Sequence, residues 1–181
     1  MDEAEYRAFV QGVNDGHILV GVDRPSARKI FTVMSISAFQ QTTGESPYFE
    51  KTVTMFAFVA QYLAIFSAAV LACFAFRWWA FLVVPVAIII WFYNMSMSTM
   101  GGASIRLHNI ALIVALAIHF FKTLSNPKTS GFIAVYIFSL WCSGFLYHAA
   151  THFLRAFVLR NPRALEVFGE AITLRGAGQG E

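Results

Sequence analysis

His148 and His152 stand four residues apart in Tyr147-His148-Ala149-Ala150-Thr151-His152. On a helix, residues at that spacing share a face one turn apart. Two imidazoles so placed can chelate a transition metal, and His108 would complete a three-histidine set. Haem b between His108 and His148 is a second form of the same idea, with Ala149 and Ala150 leaving room beside it. The chain has five histidines in all and no HxxHH box. It therefore lacks the ligand complement of the membrane di-iron oxygenases and desaturases. The plainer expectation is that His148 and His152 hydrogen-bond neighbouring helices or lipid headgroups, and a pH-sensing role is a further alternative.

The other groups able to do chemistry are few. His108 and His119 are eleven apart, which puts them on one helix face but roughly 16 Å apart along the axis. They cannot share a metal. They would mark a stripe containing Ala111, Leu112 and Ala115, which suits close helix packing better than a pore lining. Arg106 is expected to reach lipid headgroups, or else to bind an anionic substrate or lipid phosphate at a helix N-terminus. Met95-Ser96-Met97-Ser98-Thr99-Met100 could offer thioethers to copper(I), although methionine is also ordinary packing material. Cys73 and Cys142 lie in apolar runs and form no CxxC pair, so we expect buried, reduced thiols. No Ser-His-Asp set, P-loop or GxGxxG is present.

These residues sit in an unusual context. From Lys51 to Leu165 the chain has no Asp and no Glu. All ten acids lie outside, the nearest being Glu50 and Glu166. The chain is 57% hydrophobic and 13% charged, where soluble domains carry about 25% charged residues. Such a stretch is suited to lipid. It also removes carboxylate-coupled transport and paired-carboxylate hydrolysis from the bilayer.

The uncharged runs imply four spans, at about 53–76, 80–100, 105–121 and 131–154. Arg77-Trp78-Trp79 reads as an interfacial anchor between the first two, which should form an antiparallel hairpin. Gly101-Gly102 makes the next turn, and Lys122 to Ser130 is a polar loop. The expected fold class is an all-α membrane protein, a four-transmembrane-helix bundle with a helical cytoplasmic N-terminal segment. Its parts are residues 1–50, the four-span domain 51–156, and a basic cytoplasmic tail 157–181.

In the N-terminal part, residues 2–14 read as a short helix and His17 to Val22 as an extended piece. Pro25 to Gln41 reads as one amphipathic helix, with Ala27, Ile30, Phe31, Met34 and Ala38 on its apolar side. It would lie either in the headgroup layer or against the end of the bundle. In the tail, Leu165, Phe168 and Ile172 recur at helical spacing, and residues 176–180 should be disordered. The acidic start carries no secretory or transit signal, and no lipidation motif is evident.

Arg7, Arg24, Arg28, Lys29, Lys51, Arg106, Arg155, Arg160, Arg163 and Arg175 fall on the side of the termini. Arg77, Lys122 and Lys128 fall opposite. The bias puts both termini in the cytoplasm, and the membrane is expected to be a bacterial inner (plasma) membrane. This topology brings Asn94 to Met100, Arg106, His108, Asn109, Tyr147, His148, Thr151 and His152 to one membrane face. The expected function is a non-enzymatic subunit of a homo-oligomer or larger membrane complex, with a pore or anion path among its roles. The alternative is a redox or metal protein using His108, His148 and His152, with haem b or a transition metal as cofactor. The expected partners are the lipid bilayer, further copies of the chain or other membrane subunits. A net charge of +3, spread along the chain, is no nucleic-acid signature.

Overall fold

The computed structural model describes residues 2–101, 104–121 and 126–176. The chain is mostly helical. It divides into two units, residues 1–54 with 149–181, and residues 55–148. Expectations for Gly102, Lys122 and the terminal 177–180 segment lie outside the described residues, as does much of the polar loop before Ser130.

The first unit has an ordinary globular core. Helix α1 (Glu3–Asn14) starts on a reciprocal cap: Asp2 accepts from the Glu3 N–H, and Glu5 accepts from the Asp2 N–H. Strand β1 (Ile18–Val22) fulfils the extended reading of that segment. The amphipathic stretch is two helices, not one: α2 (Arg24–Val33) and α3 (Ile36–Thr43). Met34 is extended (φ −65°, ψ 131°), and Ser35 caps α3 through the Ala38 N–H. A serine cap inside the run restarts the helix with a new face. On that face Phe39, which the expected apolar side did not include, is buried.

Phe39 is 1% exposed. Its ring lies 5.9 Å from Phe31, 4.9 Å from Phe157 and 5.3 Å from Phe168. Ala27, Ala150, Leu154, Val158 and Ala164 fill the same cluster. The α2 face therefore packs into a protein core. Polar contacts fix the edges of that core. Asn161 caps α8 (Pro162–Val167) by accepting from the Arg163 and Ala164 N–H groups, and donates to the Thr43 carbonyl at 3.0 Å. Lys51 donates to the Phe31 and Met34 carbonyls at the end of α2. Arg160 pairs with Glu45 and Glu50 at 3.4 and 3.1 Å. The Tyr6 hydroxyl donates to the Val158 carbonyl, and burial, then the Glu45 charge, hold its pKa above the usual tyrosine value.

The tail departs from its helical spacing. After α8 the chain forms β2 (Ile172–Gly176), antiparallel to β1, with Val22 opposite Ile172 and Ile18 opposite Gly176. Gly176, expected to be disordered, is therefore the last residue of a paired strand.

The second unit is built differently. Two helical stretches among the described residues are long and apolar enough to cross a membrane, Tyr48–Thr99 and Pro127–Arg160. The first stretch comprises α4 (Tyr48–Phe76), a 3-10 turn Arg77–Trp79, and α5 (Ala80–Thr99). Arg77 takes a left-handed conformation (φ 51°) at the break. Helix α6 (Ile105–Phe120) is apolar but shorter, and α7 is Pro127–Arg160.

Tyr62 meets Trp91 with rings 5.6 Å apart, while Ala68 and Ala72 pack with Val83, Val84 and Ala87. Helices α4 and α5 are therefore antiparallel neighbours. Helix α7 touches all three others: Phe132 meets Phe76 at 5.4 Å, Tyr136 donates to the Ala87 carbonyl, and Trp141 donates to Asn109 on α6. The inward face of α4 is small, with Ala57, Ala64, Ala68 and Ala72 buried. Its outward face is large, with Phe56, Leu63, Phe66 and Phe74 exposed. Cys73 is exposed too, whereas Cys142 is buried, and both thiols are free.

Candidate functional site

Polar side chains of the second unit gather where α5, α6 and α7 meet. His108, in the first turns of α6, lies near Gly144, where an added Cβ would stand 3.7 Å from the imidazole ring. Its Nδ1 is 2.9 Å from the Ser104 carbonyl and its Nε2 is 2.8 Å from Asn94 Oδ1. A carbonyl only accepts, so Nδ1 carries a proton and donates to it. The Asn94 amide nitrogen is buried and has no hydrogen-bond partner among the described residues. In the next residue of α6 after His108, Asn109 Oδ1 accepts from the Trp141 indole N–H at 2.6 Å.

Beside this pair lies a cavity of about 410 Å³. Tyr93, Asn94, Ser104 and His108 are its polar lining residues, and Ile90, Leu107, Ala111 and Leu140 are among its apolar walls. Met97 also lines it, so one methionine of the α5 run reaches the site. A second cavity, of about 350 Å³, lies between α4, α5 and α7 among Tyr62, Phe66, Trp91, Phe92 and Tyr136.

The other sequence candidates are dispersed. His148 and His152 are exposed on α7. Among the described residues, no three His, Cys, Asp or Glu side chains form a group able to hold a metal. The three-histidine set of His108, His148 and His152 is therefore not assembled. His108 already has hydrogen-bond partners at both ring nitrogens, which is the physical obstacle to its acting as a ligand. His119 Nδ1 donates to Ser130 Oγ at 2.9 Å, because the Ser130 hydroxyl itself donates to the Pro127 carbonyl. That is a helix-packing contact between α6 and α7. Arg106 is exposed near the start of α6. Trp78 and Trp79 stack at 4.2 Å and are exposed beside Arg77.

Sequence reasoning missed Gln61. It is 0% exposed, on the small-residue face of α4, and neither amide atom has a hydrogen-bond partner among the described residues. Leaving a buried amide unpaired costs about 1–3 kcal/mol. Gln61→Leu, of similar size, is therefore expected to raise the detergent-solubilised protein's stability by about 1–3 kcal/mol. Thermal unfolding in one detergent checks this, and a lower Tm for the variant would count against an unpaired amide.

No protein family matches the chain, and neither the curated proteins nor the solved structures give a match.

Proposed function

We propose that the chain is a small multi-pass integral membrane protein and a non-enzymatic subunit of a homo-oligomer or larger membrane complex. The observation carrying this is the reversed packing of α4 and α5. Alanines are buried, while Phe66 is 70% and Ile89 67% exposed. A water-soluble monomer rarely exposes so large an apolar area, whereas lipid favours it.

The 52-residue Tyr48–Thr99 stretch would be about 78 Å long as one straight helix, against about 30 Å of hydrocarbon. The break at Arg77–Trp79 supports two spans, with its tryptophans at the headgroup level. Helix α6 has 16 residues, or about 24 Å, a shortfall that local bilayer thinning accommodates. With α7 this makes four spans, with both termini on the cytoplasmic side by the distribution of basic residues, in a bacterial inner membrane. Exposed Arg106 supports contact with lipid phosphate, or an anion path formed between copies.

Alkaline extraction of membranes followed by native mass spectrometry in detergent tests both halves of the reading. The expected result is retention in the pellet and an oligomer or hetero-complex. Release into the supernatant would overturn the membrane half, and a monomer without partners the subunit half.

A further inference from the structure

The cavity between α5, α6 and α7 has apolar walls and one polar end, and its volume of about 410 Å³ falls within the roughly 300–1,000 Å³ of small-molecule sites. Tyr93 and Leu107 line it and are 67% and 66% exposed. It is therefore reachable sideways, from the surface that would face lipid. Among the described residues, no Lys, Arg, Asp or Glu lines it. Nothing there matches the charge of an amine, and even a doubly protonated His108 would have both N–H groups committed, to Ser104 and Asn94, with none left for a phosphate.

The hydrogen-bond arithmetic of Asn94 narrows the head group further. His108 Nδ1–H is committed to the Ser104 carbonyl. If Nε2 is also protonated, His108 is an imidazolium that donates to Asn94 Oδ1 and leaves the amide NH₂ unpaired. If Nε2 is bare, the amide turns so that its NH₂ donates to the ring, and Oδ1 is left unpaired. Either way one end of the Asn94 amide lacks a partner among the described residues, in keeping with its buried nitrogen. A hydroxyl group donates and accepts, so it satisfies Asn94 in both cases. A ketone satisfies only the first case.

We infer that this cavity binds an uncharged lipid alcohol, its hydroxyl hydrogen-bonded to the Asn94 amide and its chain against Ile90, Leu107, Ala111 and Leu140. The inference rests on the membrane reading above. Two lipid classes carry this chemistry, diacylglycerols and polyprenols.

The test uses the full chain in nanodiscs, titrated with dioctanoylglycerol and with geranylgeraniol. The controls are the methyl ether of each alcohol and dioctanoyl phosphatidic acid. Saturable binding of one alcohol, at least about tenfold tighter than its ether and than phosphatidic acid, is the expected result, and the better alcohol identifies the lipid class. Asn94→Leu should weaken that binding about tenfold or more. Phe66→Leu, in the other cavity, should leave it unchanged. Equal binding of alcohol and ether by the wild-type chain, or no saturation, overturns the inference. The wild-type comparison decides the matter even if Asn94→Leu fails to fold. A chain that enters nanodiscs yet binds no alcohol defeats this inference alone. A chain that stays soluble defeats the membrane reading as well.

Discussion

Ile89→Arg is expected to cost about 2.5–3.5 kcal/mol of membrane-insertion free energy, the penalty for an arginine near the centre of a span. Ile89 is the tenth residue of the 20-residue α5, and its side chain points away from the protein. The prediction separates two solvents. In water, a substitution at so exposed a position changes stability by no more than about 0.5 kcal/mol. In lipid, the guanidinium is too far from either headgroup layer to reach it without distorting the bilayer. Quantifying inserted against non-inserted chain, with Ile89→Leu as control, gives the answer. Wild-type levels of insertion for Ile89→Arg would mean that this face does not contact hydrocarbon.

Phe39→Ala should destabilise the unit formed by residues 1–54 and 149–181 by about 3–5 kcal/mol, the range for removing a fully buried aromatic ring. The reason is local. Three aromatic rings contact Phe39, and none can follow it into the space it vacates without leaving its own neighbours. Hydrogen exchange measures the effect where it should appear, at the β1–β2 amides and in α3. Residues 80–99 should exchange as in the wild type. Unchanged protection of β1 and β2 would show that Phe39 does not support this unit. A loss of that size is comparable to the whole stability of many small domains.

How much of this was legible beforehand follows from the range of each signal. The lipid-suited stretch was plain because the absence of acids over residues 51–165 is a property of composition. The approach of Asn94 to His108 was legible from topology alone, since a turn between two apolar helices brings their adjoining ends to one depth. Strand β2 was not legible. Ile172 pairs with Val22, far away in sequence, and the spacing of Leu165, Phe168 and Ile172 mimics a helix until that partner is known. The break at Met34–Ser35 was signalled by serines that serve equally well inside a helix or at its start. The four-residue spacing of His148 and His152 fixes a shared face, not what that face meets. Asn94 and Ser104 occupy the nitrogens His108 would have offered. Gln61 gave no signal, since nothing in a run of apolar residues says which way one amide points.

The central claim is that the chain crosses a membrane four times with both termini in the cytoplasm. Single cysteines placed in a cysteine-free background at Gly44, Trp79, Asn126 and Arg163 test it most directly. They are exposed in intact cells to a membrane-impermeant maleimide, before and after permeabilisation. The account predicts labelling of the Trp79 and Asn126 positions in intact cells, and of the Gly44 and Arg163 positions only after permeabilisation. Labelling of all four alike, or of Trp79 and Asn126 on opposite sides, would contradict it.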